Sequence, residues 1–476
     1  MNPGRRLALI VACALFIENM DSTAIATSLP AIAADLGTEP IALKLALTAY
    51  LLSLAVFIPV SGWVADRFGA RPTFMAAIAV FLLGSLACAA SSTLEQMVAA
   101  RFLQGMGGAL MVPVGRLVLL RTVPKSELVQ ALSWLTIPAL VAPMIGPPLG
   151  GLISTYGDWR WIFLINIPMG LLGIVLARKY IPDIREPVAP LDWLGFVLSG
   201  LGLALALFGF STLGRHLVST PVAAASLVAG LLAMAAYVWH SNRHPHPLID
   251  LRLFRHATFR AGVLGGALFR IGIGATPFLL PLMLQLGFGL TALQSGLLTF
   301  ASAMGAMFMK TIAASVLRRF GFRRVLWTNA LLASAMLAGF GLFTAETPHL
   351  LIIAVLVVSG CFRSLQFTSL NAISYAEVEA PKMGQASSLS GMAQQFSLAL
   401  GVAIGGYGLQ IAGELTGRSY TDASNFLWAF LTVGAISASS AWIMYRLPPD
   451  AGAEMSGRAK DGQEVIEPKA AQRPAT

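Results

Sequence analysis

Glu18 and Asp21 stand three residues apart in "LALIVACALFIENMDSTAIATSLP", a stretch otherwise built of apolar and small polar residues. On a helix that spacing puts both carboxylates on one face. A carboxylate in an apolar span is costly and is a functional hypothesis by default. Its pKa moves when a cation approaches or leaves, so it can load and release a proton. Arg101, in a later apolar run, is the candidate cation; at about 1.5 Å per residue it falls at the depth of Asp21. A static buried ion pair is the other reading, and both stay open. Arg116, Arg270, Lys310 and Arg363 are further cations inside apolar runs. Five embedded cations against two acids would make a central cavity favour anions. Gln366, Asn371, Gln394 and Gln395 could add hydrogen bonds there. Glu18 and Arg270 could instead neutralise each other.

These residues need long apolar elements to hold them. Of 476 residues 56% are hydrophobic and 11% charged, against about 25% charge in an average globular domain. Such a chain cannot cover a soluble surface. Its runs of about 20 apolar residues are each long enough to span a bilayer. The expected spans are 7–29, 44–65, 73–90, 95–121, 130–153, 161–178, 193–213, 220–240, 258–286, 292–316, 326–344, 349–374, 384–412 and 424–445. The first reads as a retained helix rather than a cleaved signal, because polar residues interrupt its core. The polar stretch from Pro448 onward is expected to be a disordered tail.

Basic residues orient these spans. With both termini in the cytoplasm, nineteen lysines and arginines fall in cytoplasmic loops, and only Lys44, Arg160, Arg215 and Arg418 fall outside. That asymmetry follows the positive-inside rule and accounts for the net charge of +10 without nucleic acid. One cytoplasmic turn is written twice. "GWVADRFGARPTF" (62–74) and "LRRFGFRRVLW" (317–327) share Arg-Phe-Gly-x-Arg at an offset of 252 residues. "GPPLGG" (146–151) is echoed by "GVAIGG" (401–406), offset 255. Two six-helix halves in a parallel repeat are therefore expected, at 1–182 and 251–447, with a two-helix insertion at 183–250 and the tail at 448–476. Substrate sites of such folds lie near the midplane between the halves.

The motifs, in order, resemble those of the major facilitator superfamily, and within it the fourteen-helix drug/proton antiporter branch (EmrB/QacA-like). "MDSTAIATSLP" (20–30) resembles the branch's helix 1 signature, with Ala26 where Asn is common. "GWVADRFGARP" resembles the loop motif after helix 2. "RFLQGMGGAL" (101–110) resembles the proton-transfer motif, and "APMIGPPLGG" (142–151) the antiporter motif, with Ala142 where Gly is usual. "DWRWIFLINIPMG" (158–170) is also typical. The resemblance covers nearly the whole chain. It implies an all-α polytopic fold of fourteen transmembrane helices. It also implies that Gly62, Asp66, Arg67, Gly69 and Arg71, with Arg319 and Arg323 of the second turn, form a conformational latch of the outward-facing state. The charged turn read by itself leaves a pure orientation signal as the alternative. In the antiporter motif Gly146, Gly150 and Gly151 allow close helix contact, and Pro147 and Pro148 remove backbone donors.

No GxxxxGK[ST] loop and no hydrolytic constellation occur, so neither ATP-driven transport by this chain nor an enzyme is expected. Cys13, Cys88 and Cys361 are far apart. No metal is expected, and His240, His244 and His246 in "HSNRHPHP" read first as a solvated loop. The expectation is a proton-coupled antiporter of the bacterial inner membrane. It would export small organic solutes or drugs by alternating access, as a monomer, with the proton gradient as energy source and no cofactor or nucleic-acid partner. Proton coupling is expected at Asp21, Arg101 and Glu18. Solute binding is expected at Glu18, Arg116, Arg270, Arg363, Gln366, Asn371 and Gln394. Export of an organic anion or metal-chelating carboxylate is a rival, and a non-transporting sensor or scaffold a second.

Overall fold

A computed structural model describes residues 3–123, 125–188, 190–212, 219–379 and 382–456. Fourteen long helices run through it: α1 (Pro3–Asp35), α2 (Pro40–Phe68), α3 (Ala70–Ala90), α4 (Leu94–Thr122), α5 (Lys125–Tyr156), α6 (Trp161–Tyr180), α7 (Trp193–Thr212), α8 (Thr220–Arg243), α9 (Ala257–Gly287), α10 (Ala292–Phe320), α11 (Phe322–Leu342), α12 (His349–Ile373), α13 (Met383–Thr416) and α14 (Ala423–Tyr445). All but α5 qualify among the described residues as membrane spans by length and apolarity. Leu171, Leu172, Val175, Leu231 and Leu232 turn outward at more than half exposure, as residues facing lipid do.

Local chemistry ends the helices where they end. Gly69 at φ 99° separates α2 from α3, and Gly321 at φ 74° separates α10 from α11; L residues rarely take that backbone. Thr291 and Gln294 form a capping box at the start of α10, and Thr93 caps α4. Asp192 caps α7 by accepting from the Gly195 N–H at 2.8 Å, and it also accepts from the Leu248 N–H at 3.2 Å. Burial opposes ionisation of Asp192, but those two N–H groups and His240 outweigh it and hold the carboxyl below its usual range.

One apolar cluster gathers α1, α3, α4 and α6 around Phe74 and Phe81. A second gathers α9 to α12 and α14 around Phe269, Phe322 and Leu326. A third joins both groups at the face opposite the arginine-rich loops, where Leu29, Ile32 and Ile41 meet Phe278, Met283 and Phe340. The hydrogen bonds from α1 and α5 to the last six helices also lie at that end: Gln285 Nε2 donates to Thr27 O at 2.9 Å and the Leu293 N–H to Thr155 Oγ1 at 3.1 Å. That end is closed. Helices α7 and α8 meet along small residues; a Cβ on Gly230 would lie 2.3 Å from Ala206 N, and one on Gly209 2.4 Å from Leu227 N. The pair leans on the α2–α13 seam through Leu203 and Leu207.

Residues 448–456, assigned by sequence to a disordered tail, fold back instead. Ala451 is buried, and Gly452 sits against Phe322 and Ile373. The apolar floor left between α11 and α12 draws in this short segment. The rest of that tail lies outside the described residues.

Candidate functional site

Asp21 faces inward from α1, and Arg101 and Gln104 reach it from one face of α4. Arg101 Nη1 donates to Asp21 Oδ2 at 2.6 Å. The second carboxylate oxygen accepts from Gln104 Nε2 at 3.0 Å and from Asn166 Nδ2 of α6 at 2.8 Å. Arg101 Nη1 also donates to Gln104 Oε1 at 2.6 Å, and Ser85 Oγ of α3 accepts from both amides at 2.8 and 3.2 Å. The guanidinium lies 4.3 Å from the Tyr50 ring centroid, a cation–π distance. Asp21 is 0% and Arg101 1% exposed. Three donors satisfy the anion, so the pair is held by a network rather than by charge alone. Sequence reasoning took Asp21 and Arg101 but passed over Gln104, Asn166 and Ser85. Gln104 stands three residues after Arg101 and Asn166 interrupts an apolar helix, but nothing in the sequence ties either of them to Asp21.

Glu18 has no ion-pair partner among the described residues. Its Oε1 and the Tyr50 hydroxyl both face the Cα of Gly108 on α4. The expected pairing with Arg270 does not form. Arg270 is fully buried on α9, donates from Nη2 to Asn371 Oδ1 at 3.2 Å and lies 5.2 Å from the Phe367 ring. Repeat-equivalent positions belong to different helix groups, and here each packs into its own.

A cavity of 160 Å³ lies between the two helix groups. Thr23, Ala26 and Thr27 of α1 and Pro143 and Pro147 of α5 form one wall; α9 to α12, with Ser437 of α14, form the rest. Among the described residues, Arg363 is the one charged residue lining it. Of the residues expected to bind solute, Glu18, Arg116, Arg270, Gln366, Asn371 and Gln394 do not line it. Arg116 and Asn371 are exposed and Gln394 is half-buried. Gln366 is a packing residue: its amide donates to Leu326 O at 3.0 Å and accepts from Asn329 Nδ2 at 2.8 Å.

Close contacts tie α5 to this cavity. A Cβ on Gly150 would lie 2.1 Å from Ala24 O, and one on Gly146 2.0 Å from Thr23 Oγ1. One on Gly151 would lie 2.4 Å from Ala292 O of α10. Helix α5 is therefore wedged against α1 on one side and α10 on the other, at backbone distance.

At the repeated turn, Asp66 pairs with Arg121 at 2.5 Å, and Arg121 with Glu186 at 3.1 Å. Arg67 and Arg71, expected to reach carboxylates, form no ion pair among the described residues. The strand of chain after α6 takes their place. Ile184 O accepts from the Ala70 N–H at 3.0 Å, and a Cβ on Gly69 would strike Asp183. Gly62 has open space beside it. In the second turn Arg323 Nε donates to Tyr445 O at 3.0 Å, while Arg319 lies beside Phe320. Arg318 stands where the offset of 252 would put the counterpart of Asp66, so the acid of the first turn has no equal in the second.

Comparison with known proteins places this arrangement. The profile of the Major Facilitator Superfamily matches residues 11–240 and 262–475. A putative multidrug resistance protein MdtD of Pectobacterium atrosepticum is 38% identical over 447 residues, 93% of this chain and 95% of that protein. Its namesake in Klebsiella pneumoniae is 38% identical over 451 residues, covering 93% and 94%. Among solved structures, the POT family transporter PepTSo superposes with a TM-score of 0.70 at 14% identity, over 92% of this chain and 97% of its own. A D-xylose–proton symporter gives 0.68 at 13% identity, over 94% and 98%.

Proposed function

Since this chain belongs to the major facilitator superfamily, as a polytopic membrane transporter, we propose that it is a proton-coupled antiporter that exports small organic solutes across the bacterial inner membrane by alternating access. The observation that carries the reading is the construction of α1. Asp21 faces α4 and α6 in the buried network, while Thr23 and Thr27, two and six residues on, line the cavity. A change at the carboxylate is thus transmitted to the cavity wall through one helix.

Protonating Asp21 removes its charge and weakens the charge-assisted hydrogen bonds that three donors make to the anion. Arg101 is then left without its counter-ion in a dry environment, and breaking such a pair costs about 3–5 kcal/mol. Relief comes when α1 moves relative to α4. Helix α5 follows, because Gly146 and Gly150 hold it against α1. In an exporter driven by proton entry the proton is taken up with the outer end open, so this shift of α1 and α5 closes that end, and release of the proton to the cytoplasm re-forms the Asp21–Arg101 pair. At 160 Å³ the cavity is smaller than the roughly 300–1,000 Å³ of a drug-sized site, so it describes an occluded or solute-free stage. The arginine-rich face is placed in the cytoplasm by its charge, which puts both ends of the chain there and makes this an outward-closed state. The Asp66–Arg121–Glu186 chain then lies wholly within the first helix group, a released latch.

A second reading concerns charge. Arg363, alone among otherwise apolar and hydroxyl groups, favours an organic anion over a permanent cation. The names of the relatives favour broad drug export. Uptake into everted vesicles separates transport from scaffolding: a pH gradient should drive accumulation of a transported solute, and Asp21→Asn should abolish that while inserting normally. Gradient-driven accumulation by Asp21→Asn would place the proton site elsewhere, with Glu18 next.

A further inference from the structure

Away from the central network, at the end of the α7–α8 pair near the arginine-rich face, three metal-ligating side chains converge. Asp192 precedes α7, His240 lies in the last turn of α8, and His244 follows it. One ligand atom from each lies within 4.8 Å of the others. His240 Nε2 is 2.8 Å from Asp192 Oδ1, and the two imidazole rings are 5.0 Å apart, tilted by 36°. The Asp192 side chain is only 2% exposed and that of His240 14%. Sequence alone gave no reason to join these residues: Asp192 is 48 positions from His240, and the histidines read as a solvated loop. The fold brings them together by ending α8 beside the start of α7.

We propose that Asp192, His240 and His244 form a binding site for a divalent transition metal of the zinc, cobalt or nickel type. The donor set is two imidazoles and one carboxylate, which suits these ions rather than magnesium or calcium. Three protein ligands leave a coordination position for water. Metal–ligand bonds of about 2.0–2.2 Å place tetrahedral ligand atoms roughly 3.3 Å apart. The Asp192–His240 pair is already inside that distance. His244 closes the remainder by side-chain rotation, and only one bond restrains it, a 3.2 Å contact in which His244 Nδ1 accepts from the His246 N–H. The carboxylate is fixed in advance by the Gly195 and Leu248 N–H groups, as ligands of a built site are.

The position gives the metal something to act on. The Tyr237 hydroxyl, one turn before His240, exchanges hydrogen bonds of 3.0 Å with the backbone of Ile249. Tyr237 and Ile249 pack with Val378 and Leu389 on either side of the α12–α13 connection. A metal at this site braces the inserted pair against helices of the last six.

The test uses the full-length chain, purified in detergent with any polyhistidine tag removed. Cobalt(II) is titrated while its visible ligand-field bands are followed, and zinc(II) binding is measured by calorimetry. One equivalent should bind per chain and resist excess magnesium. His244→Ala should abolish binding; because that side chain caps no helix and makes a single hydrogen bond, the variant should elute from gel filtration like the wild type. Asp192→Asn keeps an acceptor for the helix cap and should weaken binding at least ten-fold, while His349→Ala should leave it unchanged. Absence of stoichiometric binding by the wild type, or equal affinity in folded His244→Ala, overturns the assignment.

Discussion

Gly296→Ala is the sharpest probe of how the closed end is held. Gly296 lies on α10, one turn past its capping box. A Cβ there would lie 2.3 Å from Pro147 O, 2.8 Å from Pro147 C and 3.2 Å from Pro148 Cα. The first distance is about 0.7 Å short of the 3.0 Å below which real Cβ contacts essentially do not occur. All three atoms are backbone, so no side chain can rotate away. Helices α5 and α10 must part, and overpacking of this kind costs about 1–3 kcal/mol. In a state where the two helices have separated, the methyl group costs nothing. The substitution therefore shifts the balance toward outward opening by about 5- to 150-fold. The assay places one cysteine at Ala303, which lines the cavity, in a chain whose Cys13, Cys88 and Cys361 have been replaced. Labelling by a membrane-impermeant thiol reagent from the periplasmic side should accelerate by that factor in Gly296→Ala. Gly289→Ala tests a different strain: Gly289 has φ 71° and open space, and should not open the seal. Unchanged labelling of a correctly inserted Gly296→Ala protein would refute the argument that this contact closes the outer end.

Three further outcomes follow from the same geometry. Asn166→Leu removes one donor from Asp21 without touching Arg101, and should slow gradient-driven accumulation several-fold while the protein inserts normally; unchanged accumulation counts against Asp21 as the proton site. Arg363→Lys keeps the charge but loses the planar fork, and should weaken binding of a carboxylate solute by several-fold while sparing a matched quaternary ammonium; a wild-type preference for the ammonium, unaffected by Arg363→Gln, leaves broad drug export alone standing. Single cysteines at Asp158 and Gly417 should label from the periplasm and one at Arg323 should not; the reverse pattern sinks the orientation.

Fourteen spans were legible because hydropathy and basic loops carry that information directly; α1 extends beyond its apolar run of 7–29, to Pro3–Asp35, while α7 and α14, capped by Asp192 and Asp422, start within a residue of where the apolar run begins. Asp21 and Arg101 were legible because charge in an apolar run is rare. Their amide partners were not, because Gln104 and Asn166 look like ordinary polar interruptions until α3, α4 and α6 are brought together. The cavity between the two helix groups was the least legible. Embedded charge pointed to Arg270 and embedded polarity to Gln366, yet most of the lining is threonine, proline and aliphatic. The packing of α11, α12 and α14 decides which of the polar residues face it. Likewise Asp66 meets Arg121 rather than its neighbours Arg67 and Arg71, a choice made by the tertiary approach of α4.

The repeat explains why chemistry and cavity are separated. Packing is duplicated: Gly146 closes on Thr23 and Ala24 of α1, and Gly401, 255 residues later, closes on Ile271 O and Ala275 N of α9, with a Cβ distance of 2.1 Å to the carbonyl. Chemistry is not. The position 252 residues after Asp21 is Ile273, which lines the cavity, and the one after Glu18 is Arg270. The one after Asp66 is Arg318. Acids present in the first copy are thus apolar or basic in the second. The duplicated scaffold repeats this glycine contact in both groups, while the buried carboxylate stays in one and most of the cavity wall is drawn from the other. Helix α1 is where the two meet, since it carries Asp21 toward its own group and Thr23, Ala26 and Thr27 toward the other. The proton coupling proposed above then needs no long pathway. It requires that α1 cannot shift at Asp21 without shifting at Thr23, and the backbone contact with Gly150 enforces that.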